Sequence, residues 1–306
     1  MSSRAKGLAM VVTGAALWGL SGTAAQVLFQ EKHVTAEWLV AVRMVLAGFV
    51  LVVLSAFKGL EPFAIWKDRK SRWQLILFGL VGMLGVQYTY FASIATGNAA
   101  TATLLQYLAP VYIVLYSLVK EKQKPTVKIS FAVFLALAGT FLLMTNGTTN
   151  QFTVSLVSVV WGVLSGVALA FYTLASAKLL KTWQTTLVVG WGMVIGGTAM
   201  CWLVPSLVPT NIIFGVDTWL LITFVVLFGT LIAFLLFVES IRHLSPTESS
   251  LLSSVEPLSA VVASIAFLHV SFGLLQAVGA ACIILTVLLL SQPSKKRMYR
   301  NMETGM

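Results

Sequence analysis

The sequence predicts an all-α, polytopic membrane protein with ten transmembrane helices, and three observations support that fold class. The chain of 306 residues is 58% hydrophobic and only 10% charged, with a mean hydropathy of +0.92. Its apolar residues fall into long runs, and the pattern of its first half recurs in its second half. So little charge is typical of a chain whose surface faces lipid.

Ten apolar segments are long enough to cross a membrane, since a transmembrane helix needs about 20 mostly apolar residues. In chain order they cover residues 7–29, 37–57, 73–94, 99–119, 127–144, 152–177, 184–204, 217–239, 247–268 and 272–290. The first segment is too long for the apolar part of a signal peptide and further spans follow it, so we expect it to be retained.

The basic residues predict the orientation of these helices, because Lys and Arg accumulate in cytoplasmic loops. With the N-terminus inside, the inner loops and the termini hold every Lys and Arg except Lys32, in an outer loop, and Arg43, within the second span. Both termini are therefore predicted to be cytoplasmic. The net charge of +10 lies in short clusters between apolar runs, which favours contact with anionic lipid and not with nucleic acid.

Internal repetition divides the chain into two halves. A shift of 147 residues aligns residues 91–118 with 238–265 without a gap, and a shift of 143 brings Trp18 onto Trp161. Each half holds five spans, so the second half enters the membrane from the opposite side, as in the inverted repeats of many secondary transporters. We predict a first five-helix repeat at 1–146, a second, inverted repeat at 152–292 and a cytoplasmic basic tail at 293–306.

Two prolines occupy equivalent places in the fourth and ninth spans. Pro110 and Pro257 each remove the backbone hydrogen bond to the carbonyl four residues earlier, that of Gln106 and that of Ser253. A carbonyl freed at membrane depth needs another partner or a wet cavity. The prolines could be hinges that offer carbonyls to a substrate, or structural kinks, and their recurrence favours the functional interpretation.

Two charged residues lie deep within predicted spans, away from the span ends. Glu256 would cost about 2.5–3.5 kcal/mol as an anion at mid-membrane, so it could bind a proton for coupling, pair with a cationic group of the substrate, or be a neutral structural acid. Arg43 could snorkel outward as an anchor or clamp a substrate carboxylate, and its depth favours the anchor.

Polar side chains and polar-tipped aromatic rings within several spans predict a pocket for a small amphipathic or ring-bearing solute. The candidate substrate-binding residues are Trp18, Ser21, Gln87, Tyr88, Tyr90, Gln106, Tyr107, Trp161, Ser165, Tyr172, Ser253 and Ser254. The candidates for coupling or gating are Glu256, Pro110, Pro257 and Arg43. Packing between helices is the alternative role for the aromatic residues.

No motif of an enzyme or of a metal or cofactor site stands out in the sequence. It lacks HExxH, GxSxG and the phosphate-binding P-loop. Cys201 and Cys282 both lie in apolar segments without the spacing of metal ligands. We therefore expect neither catalysis nor a cofactor nor a bound metal.

With these features the chain resembles the EamA-type members of the drug/metabolite transporter superfamily over essentially its whole length. The resemblance rests on Ala16-Leu17-Trp18-Gly19, Arg43, Leu105-Gln106-Tyr107-Leu108-Ala109-Pro110 with Glu121, Trp161-Gly162, and Ser253-Ser254-Val255-Glu256-Pro257-Leu258. It implies a carrier of the bacterial plasma membrane with a central cavity lined mainly by spans 1, 3, 4, 6, 8 and 9. One departure is that Glu121 aligns with Leu268 in the second half, so we interpret Glu121 as structural.

The expected function is a secondary active transporter that exports a small metabolite, an amino acid or a relative, by alternating access. Alternatives are an importer of a sugar, amine or nucleoside-like solute and, from another class, an intramembrane enzyme, a lipid-handling protein or a pore. Because relatives with varied substrates keep the acid at Glu256, the resemblance favours coupling or gating by this residue. The expected partners are the solute, the lipid bilayer and protons as the candidate coupling ion.

Overall fold

A computed structural model describes residues 3–122, 124–147, 154–204, 215–240, 243–244 and 252–291. The structure is 84% helix, with no strand among those residues, which confirms the prediction of an all-helical chain. The predicted basic tail at 293–306, the start of the ninth span at 247–251 and the inner-loop residue Arg242 lie outside the described residues.

In the described part of the chain, eight helices are long and apolar enough to cross a membrane, and two shorter apolar helices follow them. Numbered α1 to α10, they are Ser3–Gln30, Ala36–Phe57, Arg69–Ala95, Ala99–Lys120, Val127–Thr145, Leu156–Leu179, Thr185–Leu203, Val216–Phe237, Val255–Leu268 and Leu274–Leu290. Each of the predicted apolar segments overlaps one of these helices. A single helical turn, Ala64–Lys67, precedes α3.

Local side chains define where several helices begin and end. The Thr35 hydroxyl and the Asn98 amide oxygen accept hydrogen bonds from first-turn amides at the starts of α2 and α4, at 3.3 Å and 2.8 Å. Such caps satisfy donors that the helix itself leaves unpaired. Asn146 and His269 end α5 and α9 in the left-handed conformation, with φ of 47° and 49°, which turns the chain out of the helix.

The contacts between helices follow the sequence repeat. Helix α2 packs along α7 and α5 along α10, and in both cases the partners are equivalent helices of the two halves. Helix α1 packs on α8 and α9, and its equivalent α6 packs on α3 and α4. Exchanging the halves therefore maps the α2–α7 and α5–α10 contacts onto themselves, and the contacts of α1 onto those of α6. The two five-helix halves interlock instead of folding side by side.

Backbones touch where α5 crosses α10. A Cβ placed on Gly139 would lie 2.7 Å from the carbonyl oxygen of Gly279, and one on Gly279 would lie 2.6 Å from that of Gly139. In lipid, such close packing of small residues replaces the hydrophobic effect as the force that holds helices together. This pair of glycines therefore fixes the spacing of one symmetric helix pair.

Two helices contain a stretch of π-helix at equivalent places. The stretches are Phe78–Met83 in α3 and Phe224–Ile232 in α8, and the 147-residue shift superimposes them. In α8, the Thr230 hydroxyl donates to the carbonyl of Val225 at 2.8 Å. Wider turns of this kind occur frequently at functional sites. The sequence pattern did not predict them, because π-helix has no distinct hydrophobic period.

We expect the substitution Gly139→Ala to lower the free energy of unfolding, because the added methyl group pushes α5 and α10 apart. Overpacking of this kind costs about 1–3 kcal/mol, which a lower Tm of the purified protein in detergent would reveal. The control is Gly85→Ala, whose methyl group meets only the Cβ of Ala168 at 3.5 Å. Equal Tm values for the two variants would contradict the close contact.

Candidate substrate site

A cavity of about 530 Å³ lies between the two halves, and every helix except α5 contributes to its wall. The predicted site residues that line it are Trp18, Ser21, Arg43, Gln87, Tyr90, Gln106, Tyr107, Pro110, Tyr172, Ser253 and Glu256. They come from distant parts of the chain, so the fold brings most of the predicted residues together.

The other five predicted residues lie outside this wall as the described residues define it. Tyr88 packs edge-on against Trp161, with ring centroids 5.5 Å apart, and donates to Glu37 at 3.1 Å. Ser165 is buried and donates to the carbonyl of Gly162 at 2.7 Å. Ser254 and Pro257 are also buried in the helix packing.

Both proline positions coincide with a break in the helix. In α4 the helical hydrogen bonding ends at Gln106 and resumes at Ala109 after a two-residue turn. In α9 a turn at Ser253 and Ser254 precedes the helix that begins at Val255. Since proline cannot donate to the preceding turn, each helix restarts so that its proline lies in the new first turn.

The carbonyl of Ser253, freed by Pro257, is bound by a side chain from the other half. The Tyr107 hydroxyl of α4 donates to this carbonyl at 2.7 Å, and the Glu256 amide donates to it at 2.9 Å. The equivalent carbonyl in α4, that of Gln106, lies against Gly166 of α6, where an added Cβ would approach to 3.4 Å. One break is thus bridged by a hydroxyl and the other is packed against backbone.

The same Tyr107 hydroxyl also bonds to Oε2 of Glu256, at 3.0 Å. A phenol has one proton, and the Ser253 carbonyl can only accept. One hydroxyl proton therefore cannot fully satisfy both acceptors. The arrangement is complete when Glu256 carries a proton of its own, which also removes the cost of a charge at this depth.

Arg43 faces the cavity and not the outer surface, so the outward snorkelling expected for it is not what the structure shows. The residue is only 6% exposed, and its guanidinium carbon lies 4.6 Å from the ring centroid of Phe91. A cation held over an aromatic face in this way is attracted by the negative charge of the ring face. The ring of Phe91, in α3, therefore helps to hold the Arg43 side chain inside the bundle.

Tyr90 links the two charged residues of the cavity. Its hydroxyl forms a 2.9 Å hydrogen bond with that of Thr103 and lies close enough to Arg43 and Glu256 to interact electrostatically with both. The wall thus holds one basic and one acidic group around a space lined otherwise by aromatic, apolar and uncharged polar side chains.

Sequence reasoning named no α8 residue of the wall, although the resemblance implied that the eighth span lines the cavity and the repeat contained the signal. The residues of α8 that line the cavity include Thr230, Phe234 and Phe237. The shift of 147 residues brings them onto Met83, Gln87 and Tyr90 of α3, which line it as well. Applying the repeat to the α3 candidates Gln87 and Tyr90 would have identified Phe234 and Phe237, whereas Thr230 corresponds to Met83, which was not a candidate.

Comparison with known proteins relates the chain to transporters. The model of the EamA-like transporter family matches it twice, at residues 5–145 and 156–292. The protein named uncharacterized inner membrane transporter YicL of Salmonella typhimurium is 35% identical over 97% of this chain and 99% of its own length. The uncharacterized transporter YwfM of Bacillus subtilis is 23% identical over 94% of each chain.

A solved crystal structure has the same fold. It superimposes with a TM-score of 0.62 and 19% identity, covering 94% of this chain and 96% of the other. At this identity the similarity concerns the arrangement of helices and not the chemistry of the cavity.

We expect Tyr107→Phe to destabilise the protein, because the Ser253 carbonyl and the Glu256 carboxyl lose a shared, partly buried partner. Leaving such a group unsatisfied costs about 1–3 kcal/mol, measurable as a fall in Tm. The matched control is Tyr116→Phe, which removes a hydroxyl from a residue that is 51% exposed. A Tm unchanged in both variants would show that the bond between the halves contributes nothing to stability.

Proposed function

This chain belongs to the EamA-like transporter family, and we propose that it is a secondary active transporter that exports a small metabolite, an amino acid or a related compound. The observation that carries the proposal is the cavity between the two halves, whose wall combines a partly buried acid, a buried base and polar aromatic groups. Its volume of about 530 Å³ lies within the range of small-molecule sites.

The proposed topology has ten transmembrane helices in two inverted repeats, at 1–146 and 152–292, with both termini in the cytoplasm. The exchange of helix contacts between the halves supports the repeat, and the confinement of Lys and Arg to alternate loops supports the orientation. The name of the Salmonella relative favours the bacterial inner membrane as its location.

The proposed mechanism is alternating access by movement of one half against the other around the cavity. The helix breaks before Pro110 and Pro257 both adjoin the wall, where a few residues can absorb a change in backbone angle. The contact of Tyr107 with Ser253 and Glu256 spans the two halves. A movement that separates α4 from α9 must therefore break this contact, which makes it a gating element.

The proposed role of Glu256 is coupling. Its carboxyl bonds to the Tyr107 hydroxyl at 3.0 Å, and Tyr90 of the same wall lies within electrostatic range of it. Loss of the Glu256 proton would leave one Tyr107 hydroxyl proton for two acceptors, the Ser253 carbonyl and the Glu256 carboxylate. This would favour opening of the contact between α4 and α9. Proton release and rearrangement of the halves would thus be linked.

Counterflow in proteoliposomes tests the carrier proposal. Vesicles are loaded with one unlabelled amino acid at a time, and a trace of the same labelled amino acid is added outside. We expect at least one to accumulate transiently and saturably, because a carrier exchanges its solute across the membrane. Protein-free vesicles are the control. Flux that never saturates would instead identify a pore, and chemical change of the labelled compound an enzyme.

We expect Glu256→Gln to slow the counterflow found in this way and to flatten its dependence on pH. Losing a contact worth about 1.4 kcal/mol in the rate-limiting step slows transport about tenfold. The control, Glu61→Gln, neutralises a carboxyl that is 80% exposed and should leave the pH profile unchanged. A Glu256→Gln protein with the rate and pH profile of the unmodified protein would end the coupling hypothesis.

A further inference from the structure

We propose that Arg43 is the carboxylate-binding residue of the cavity, so that every solute this protein carries efficiently bears a carboxylate. The inference rests on the proposed transport function and narrows it to one chemical class. It also assigns a specificity-determining role to a residue that the sequence alone favoured as an anchor.

No described residue of the protein compensates the charge of Arg43. Among the described residues, no carboxylate lies within ion-pair distance of its guanidinium, and its buried Nε has no hydrogen-bond partner. The described wall contains no other basic residue. Lys32, the basic residue of the predicted outer loop, is already paired with Asp217.

Glu256 does not supply the missing anion. It lies in the same wall but beyond ion-pair distance of Arg43 among the described contacts, and its carboxyl bonds to Tyr107. A buried guanidinium stays protonated under all ordinary conditions. Arg43 therefore keeps a full positive charge inside a mostly apolar cavity, with the Phe91 ring on one side.

A carboxylate is the group that such a site fits best. The guanidinium is planar and presents donors in a fixed fork, which matches the two oxygens of a carboxylate. Met83, Phe91 and Met193 share the wall with Arg43 and offer an apolar surface to the rest of the solute. Exclusion of water by these side chains strengthens the attraction between the two charges.

The same chemistry predicts which solutes are rejected. A neutral amide or sugar leaves the Arg43 charge without a counter-ion, and a solute with only an ammonium group is repelled by it. Amino acids and amine-free carboxylates should therefore bind, whereas the corresponding amides and amines should not.

Matched ligands test the proposal on the full-length protein. The probes are leucine and phenylalanine, their amides, and the amine-free acid 4-methyl-2-oxopentanoate, each as a competitor in counterflow and as an additive in thermal unfolding. We expect at least one carboxylate to compete and to raise the Tm. We expect the corresponding amide to bind with an affinity about tenfold to a hundredfold lower, because it cannot form the charge-assisted pair with Arg43.

Two variants distinguish the positive charge of Arg43 from the geometry of its guanidinium: Arg43→Gln removes both, and Arg43→Lys keeps the charge alone. We expect Arg43→Gln to weaken carboxylate binding by the same factor as amidation of the ligand, and Arg43→Lys to have a smaller effect. Lys67→Gln, at a side chain that is 79% exposed, should bind as the unmodified protein does. Comparison of acid with amide on the unmodified protein keeps the test decisive even if Arg43→Gln does not fold.

The proposal is overturned if amides compete as well as acids, if no carboxylate probe binds, or if folded Arg43→Gln binds carboxylates as the unmodified protein does. Saturable counterflow of a sugar or amine would also overturn it while leaving the carrier function intact. Conversely, Arg43-dependent carboxylate binding combined with flux that never saturates would support the site and refute the carrier.

Discussion

The structure depends on one constraint: a backbone carbonyl inside a membrane has no water to bind, so the protein must supply its partner. Pro257 removes the helical partner of the Ser253 carbonyl, and Tyr107 from the other half replaces it at 2.7 Å. A defect in one repeat is thereby repaired by a side chain of the other. This contact between the halves lies at a helix break and beside the cavity.

The two halves share a fold but not a chemistry. Under the 147-residue shift, Ala109 corresponds to Glu256 and Gln106 to Ser253, so the acid and the bridged carbonyl belong to the second half alone. Symmetric packing determines the position of the cavity, and asymmetric substitutions determine what the cavity can bind. A repeated sequence can therefore determine the helix arrangement while the residues that line the cavity differ between the two halves.

The sequence predicted the helices well because hydrophobic length and charge placement depend on the membrane itself. It was less successful with side-chain direction, which depends on the neighbouring helix. Trp18 lines the cavity but its repeat equivalent Trp161 packs against Tyr88. Arg43 turns inward because Phe91, far along the chain, offers its ring. No local pattern around either residue contains that information.

The acidic and the basic residue of the wall differ in how an empty cavity can tolerate them. Glu256 can be neutralised by a proton, whereas Arg43 cannot lose its charge. A buried cation without an anion typically costs about 3–5 kcal/mol, and a desolvated cation–π contact returns about 2 kcal/mol. The Phe91 ring thus offsets part of the cost, so that an empty carrier could still rearrange. The remainder is available to a bound carboxylate. A carrier needs this intermediate balance. If the protein compensated the Arg43 charge fully, the site would lose its selectivity for carboxylates. If it did not compensate the charge at all, a bound anion would not be released.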